Sequence, residues 1–238
     1  MTMTSYGQFC PVSKATEIIG DKWTILILRE LLLGTCRFND LQRSMSRISP
    51  TILNKRLKML EATGVIVKKS QSGKKGYEDR LSGMGKELEP MIDHLAIWGM
   101  RWARGQMTKE ELDVEFLMWD IRRTIDCKNL PDGETVMSFH FKDIENYGTW
   151  WLVCSGGDID LCTANPGKDV DLYVTTDIRS MIEVWQGDRS LSSALVEELI
   201  TTVVSAHLMR NMKDWFALCS YKDYRPVELG VNPEEMVP

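Results

Sequence analysis

The chain has few of the residues from which catalytic and metal centres are built. Its six cysteines, Cys10, Cys36, Cys127, Cys154, Cys162 and Cys219, include no CxxC pair. That spacing fits neither a zinc site nor a secreted disulfide framework. The three histidines, His94, His140 and His207, form no metal-spaced pair, and there is no GxSxG elbow, P-loop or dinucleotide fingerprint. Gly156-Gly157-Asp158 has the composition of a hairpin turn and not of a phosphate loop. No apolar run reaches the roughly 18 residues a membrane span needs. No charged leader with an apolar core precedes Tyr6. A cytoplasmic protein without metal or cofactor is expected, and no enzyme.

What is present is unevenly charged. Up to Gly105 there are 17 Lys+Arg and 10 Asp+Glu, a net of +7; the remaining residues hold 12 and 24, a net of −12, and the two sum to the overall −5. Residues 37–75 alone carry 10 basic and 2 acidic side chains. A surface of that sign attracts phosphate and releases its counterions, although charge runs are commonly just solvated faces.

Local patterns organise the basic half. Val12 to Ile19 reads as a short amphipathic helix stopped by Gly20, and Asp21 as the cap of a nearly all-apolar helix from Lys22 to Leu33, to be buried in a core or at a subunit contact. Asn39 is expected to cap a short helix through Met45, and Ser46 to Ser49 to make a turn. Ser49 is then an N-cap and Pro50 a first helical residue of a helix ended by Gly64. At about 100° per residue, Leu53, Leu57 and Leu60 share one stripe and Thr51, Asn54, Lys55 and Lys58 the opposite side. Asn54 carries the paired donor and acceptor that match adenine, and Lys55 and Lys58 suit phosphate or guanine. Arg56 lies nearer the apolar edge, where a structural ion pair is expected. Val65 to Val67 leads into a tip holding Lys68, Lys69, Lys74 and Lys75, and Tyr77 to Leu81 returns as the partner strand. Helix, turn, helix and basic hairpin in this order make a winged helix-turn-helix, a unit that puts one helix into the major groove.

Several motifs carry a resemblance: Cys10-Pro11-Val12, Gly20-Asp21-Lys22-Trp23, Leu26 to Leu31, Arg37-Phe38-Asn39-Asp40-Leu41, Ile48-Ser49-Pro50, Leu53 with Arg56-Leu57 and Leu60-Glu61, and Leu81-Ser82-Gly83-Met84-Gly85. From Cys10 to about Trp102 the chain resembles the HxlR-type winged-helix transcriptional regulators. The resemblance implies a homodimer on an inverted repeat, joined through the N-terminal arm and the last helix of the domain. The expected DNA-binding set is Arg37, Asn39, Ser49, Thr51, Asn54, Lys55, Lys58, Lys68, Lys69, Lys74 and Lys75. Cys10, in a polar arm before Pro11, is either packed under the first helix or reactive as a thiolate; in some members of the family the matching cysteine responds to oxidants or electrophiles. Asp79 departs from the aromatic or aliphatic residue expected in the returning strand. Between Ser82 and Gly105, Leu88, Met91, Ile92, Leu95, Trp98 and Trp102 make an apolar stripe for a dimer contact or for the C-terminal domain, with Pro90 kinking or restarting the helix.

The second half changes character. A helix between Thr108 and Asp126 is followed by alternating strands at Met137 to Phe141, Thr149 to Ser155 (a central strand), Ile159 to Leu161 and Val170 to Val174. Helices are expected from Asp177 to Trp185, ended by Gly187, from Ser190 through Ile200, and from Ala206 to Cys219. Asp169-Val170-Asp171-Leu172, Thr175-Thr176-Asp177, Trp185-Gln186-Gly187 and Ser190-Leu191 with Ala194-Leu195 resemble the sterol-carrier-protein-like fold. That resemblance implies helices over one sheet face and an apolar pocket, with Phe139, Trp150, Trp151, Met181, Trp185 and Trp215 as its lining; a solid core is the alternative.

The fold class expected is α+β: a winged helix-turn-helix domain for DNA binding and dimerisation over residues 1–105, and a sterol-carrier-protein-like ligand-binding domain over 106–238. The function expected is a homodimeric DNA-binding regulator, a repressor, with a small apolar effector. The alternative is a carrier of apolar molecules whose winged helix serves protein contact.

Overall fold

A computed structural model describes residues 5–70, 76–103, 107–204, 208 and 211–226. The chain divides into two compact units, Met1–Ala96 and Ile97–Pro238.

In the first unit, α1 (Pro11–Ile19) ends at Gly20, where a side chain would collide with the Thr16 carbonyl oxygen. Helix α2 (Thr24–Leu32) begins two residues later than the sequence suggests. Trp23 precedes it in the left-handed region, at φ 80°, and Asp21 does not cap it with its side chain. The Asp21 carboxylate is instead engaged by Arg56 of a later helix. Ile27, Leu28 and Leu31 are buried, while Leu26 and Leu33, one heptad apart, remain exposed. Among the buried residues is Glu30, whose Oε1 accepts from Arg29 Nε at 3.1 Å.

Helix α3 (Phe38–Ser44) starts one residue before the expected Asn39 cap, because Arg37 occupies the cap position and Asn39 lies in the first turn without capping it. Helix α4 (Pro50–Ala62) follows, then strands β1 (Ile66–Ser70) and β2 (Tyr77–Leu81), paired antiparallel from Ile66↔Leu81 to Ser70↔Tyr77. Ser82 then caps α5 (Gly83–Lys86), its Oγ accepting from the Gly85 amide at 3.1 Å. Of the two outcomes expected at Pro90, a kink or a restart, the structure has the restart: α6 (Glu89–Trp98) begins anew with Pro90 in its first turn, where a missing N–H costs nothing, and runs into a π turn over Gly99–Ala103. Buried Ile19, Ile27, Leu28, Leu41, Leu53, Leu57 and Ile92, with their neighbours, form one apolar core.

The second unit takes in the end of α6 and the π turn and continues with a short 3-10 turn, Lys109–Glu111, and α7 (Val114–Thr124), capped by Asp113, whose carboxylate accepts from the Phe116 amide at 3.0 Å. Strands β3 (Glu134–Phe141), β4 (Thr149–Ser155), β5 (Asp158–Cys162), β6 (Leu172–Thr176) and β7 (Ile200–Val204) make a five-stranded sheet in the order β5-β4-β3-β6-β7. All neighbours are antiparallel except β3 and β6, which run parallel. β4 is interior, as expected, with β3 at the centre; Val170 precedes β6 and lies outside it.

Helix α8 (Ile178–Trp185) is capped by Asp177, which accepts from the Ser180 amide at 2.8 Å, and is followed by Gly187 at φ 81°. Helix α9 (Leu191–Val196) stops four residues short of the Ile200 limit read from the sequence. Glu198 turns left-handed at φ 56°, and Ile200 to Val204 pair with β6 as an edge strand. Five consecutive β-branched residues carry that strand. Of the last helix expected, Ala206, His207, Met209 and Arg210 lie outside the described residues; Met212–Trp215 is a single helical turn.

Candidate nucleic-acid interface

Helix α4 is held down by its leucines. Leu53, Leu57 and Leu60 are all buried, and at about 1.5–3 kcal/mol per side chain they fix the helix on the core far more firmly than any surface contact would. Its start is set by Ser49, whose Oγ accepts from the Ile52 amide at 3.3 Å, and by Pro50. Thr51, Asn54, Lys55 and Lys58 are exposed on the other side. Among the described residues nothing forms an ion pair with Lys55 or Lys58. Arg56, by contrast, is half-buried and engages Asp21, so it ties α4 to the segment before α2.

The flanks of α4 add charge. Arg37 and Asn39 are exposed at the start of α3, and Ser49 is exposed at the turn. On the hairpin, Lys69 is exposed and Lys68 reaches Glu61 of α4 at 3.5 Å. An ion pair this exposed is worth little and yields readily to a phosphate. Lys74 and Lys75 lie outside the described residues. Two exposed side chains beside this set were not singled out from the sequence: Arg43 on α3 and Tyr77 at the start of β2. Membership of the basic 37–75 tract and the aromatic at the strand end were the signals that could have found them.

Asp79 explains its own oddity. It is 4 % exposed, its amide donates to the Cys36 carbonyl at 2.8 Å, and burial pushes its carboxyl above the usual range, against a smaller opposite pull from Lys68 across the hairpin. The strand accepts it at an energetic cost and keeps its register.

At the other end of the unit, the N-terminal arm is hooked to α1. The Tyr6 amide and Ser5 Oγ donate to Glu17 at 2.8 and 3.1 Å, and these contacts with Lys14 hold that carboxyl below its ordinary value. Cys10 stands at the N-cap position, where the backbone amides of Ser13 and Val12 lower its thiol pKa. Phe9 beside it is 99 % exposed. On α6 and the π turn, Met91, Leu95, Trp98 and Trp102 are exposed, Ile92 is buried and Leu88 half-buried.

The HxlR-like helix-turn-helix family matches residues 18–107. Two relatives of Bacillus subtilis, both uncharacterised HTH-type transcriptional regulators, align with this chain. YdeP is 36 % identical over 96 residues, 39 % of this chain and 73 % of its own length. YvaP is 31 % identical over 98 residues, 40 % and 91 % respectively. The chain belongs to the HxlR-like family. Among solved structures, the redox regulator HypR in its reduced form aligns at 28 % identity over 38 % of this chain and 90 % of that one, with a TM-score of 0.36.

As an HxlR-like protein the chain is a DNA-binding transcriptional regulator of the helix-turn-helix type, in a family of regulators and not of enzymes. Every residue of the expected DNA-binding set falls inside the matched range; Cys10 precedes it and the expected pocket residues follow it. Of those, Phe139, Trp150, Met181, Trp185 and Trp215 join a single core in the second unit. Trp151 does not: alternation along β4 turns it to the opposite sheet face, paired with Ser138 and Cys162. No helix among the described residues is long and apolar enough to cross a membrane.

Proposed function

We propose that this HxlR-like regulator is a repressor that binds an inverted repeat as a homodimer in the cytoplasm, with α4 as the base-reading helix. The observation that carries this reading is the division of α4 into three buried leucines and an exposed face of Thr51, Asn54, Lys55 and Lys58. Asn54 is the residue for an adenine edge, and a bidentate contact there discriminates by about 1–3 kcal/mol. Arg37, Asn39, Ser49, Lys68, Lys69, Lys74 and Lys75 position the helix through phosphates. The exposed stripe of Met91, Leu95, Trp98 and Trp102, together with the arm around Phe9, supports a twofold contact between copies. Cys10, its thiol lowered at the N-cap of α1, is the oxidant- or electrophile-responsive residue.

For residues 106–238 the reading is a sterol-carrier-protein-like domain that senses a small apolar effector. Support comes from two indole donors, Trp150 Nε1 and Trp185 Nε1, buried in one core with no partner among the described residues. An unpaired buried donor costs about 1–3 kcal/mol, and a bound molecule with an acceptor atom would recover it.

Binding assays test the proposal. The full chain should bind the promoter beside its own reading frame at nanomolar concentration with strong salt dependence, and Asn54→Ala should lose discrimination between that site and variants of it. If random DNA competes as well as the promoter, base reading by α4 is wrong, and a carrier whose winged helix serves protein contact becomes the better account. For Cys10, diamide should release the operator from the unmodified protein and not from Cys10→Ser; equal release from both would remove the sensor role.

A further inference from the structure

Buried leucines set the depth of α4 better than its rotation. Leu53, Leu57 and Leu60 are buried, and the force that buries them has no direction, so a small roll about the helix axis keeps them in contact while it swings Asn54 sideways. A recognition group has to stay within about 0.5 Å and 10–20° of its working geometry, which calls for a directional contact. One stands on the far side of the helix, where Arg56 Nη1 donates to Asp21 Oδ2. We infer that Asp21 is a positioning residue for base reading: through Arg56 it fixes the rotation of α4 and with it the adenine contact of Asn54. The inference rests on the reading of α4 as the base-reading helix.

Arg56 is placed to anchor the helix and not to touch DNA. Two residues beyond Asn54, it is turned about 200° around the helix and flanks the leucine stripe. Only 14 % of its side chain is exposed, and its Nε is buried without a partner among the described residues. The Asp21 carboxylate is therefore what holds this cation in place. Without it, a largely buried charge has to move out towards solvent, and the helix that carries it turns. A second ion pair of α4, Glu61 with Lys68 at 3.5 Å, joins two side chains that are each about a third or more exposed, and such a pair constrains little.

Asp21 is in turn presented from a fixed turn. Before it, Gly20 has no room for a side chain against the Thr16 carbonyl oxygen. After it, the Thr24 amide donates to the Asp21 carbonyl at 3.1 Å, and Trp23 packs against the core of the first unit at φ 80°, a conformation that non-glycine residues rarely adopt. The carboxylate makes no cap to α2, which leaves it to Arg56. Charge alone predicts the reverse of a positioning role. Up to Gly105 the chain carries a net of +7, and removing an acid from it should tighten binding to any DNA.

Competition titrations with the full chain separate the two. They give the ratio of affinities for the promoter fragment beside its own reading frame and for the same fragment with one adenine replaced, the one whose loss costs the unmodified protein most. A partly unfolded preparation lowers both affinities alike and leaves that ratio unchanged, so a merely structural role does not move it. Asp21→Asn should lose at least half, on a logarithmic scale, of the discrimination that Asn54→Ala loses, and Arg56→Gln should do the same. The double variant should lose no more than either single one, because a pair can be broken only once. If Asp21→Asn keeps the full ratio, or if the two losses add, the inference is overturned while the response of Asn54→Ala still supports α4 as the reader. If Asn54→Ala itself leaves the ratio unchanged, base reading by α4 is lost and this inference with it.

Discussion

Replacing Lys58 with alanine removes a cation from the exposed side of α4 and leaves the buried leucine face untouched. Lys58 has no ion-pair partner among the described residues, so its loss strands no carboxylate and should leave folding unchanged within about 0.5 kcal/mol. On DNA the effect should be electrostatic. Each phosphate contact contributes about 0.9 to the slope of log K against log salt, so a dimer that loses Lys58 twice should show a slope shallower by about 1.8. Over a fourfold rise in salt, from about 50 to about 200 mM, the unmodified protein should then lose roughly tenfold more affinity than the variant. Mobility-shift titrations at four or five salt concentrations measure both slopes. Parallel lines would refute the placement of α4 against the duplex, whereas a slope change near 0.9 would mean that only one protomer uses the contact.

Three further outcomes follow from the same geometry. Trp98 is 56 % exposed, so Trp98→Ala should cost the folded chain little while weakening self-association by at least about 2 kcal/mol, roughly thirtyfold, as central aromatic anchors do; sedimentation equilibrium beside a urea midpoint would show it, and an unchanged dimer would exclude this stripe as the contact. Asp79 has a folded pKa raised by burial, so the folded state holds its proton longer than the unfolded chain. Its stabilising share is complete below the ordinary carboxylate value and is lost as pH rises through the raised one. Asp79→Asn should therefore stabilise the protein at pH 7 and flatten urea stability across that interval; a destabilised variant at pH 7 would contradict this. Ser49→Ala, which removes the N-cap of α4, should cost about 1 kcal/mol in the same assay, and no loss would mean that Pro50 alone sets the helix start.

Helix α4 and the hairpin were legible because their signals are local. A serine cap, a proline at the first turn, leucines three and four apart and a glycine stop all lie within sixteen residues, and two strands flank the basic segment, although Lys68 and Lys69, read as part of the tip, belong to β1. Departures arose where a distant partner competes. Asp21 would cap α2, but Arg56, 35 residues on, takes its carboxylate and Trp23 turns left-handed. Leu199, four residues after Leu195, continues a helical spacing beyond Val196, which hid β7; the strand exists because β6, distant in sequence, offers its edge. Trp151 was grouped with its neighbour by type, when strand alternation already separates the two. Whether the buried tryptophans of the second unit surround a ligand depends on volumes that no spacing rule encodes.

Protection of guanine N7 from dimethyl sulfate is the most direct measure of where α4 lies, because that atom faces the major groove alone. With the full chain on its promoter, two protected patches should appear about one helical turn, roughly 34 Å, apart. Asn54→Ala should leave those guanines protected while tolerating replacement of an adenine within each patch. Protection confined to a single patch, or an unaltered preference for that adenine once Asn54 is gone, would contradict a pair of α4 helices reading successive grooves.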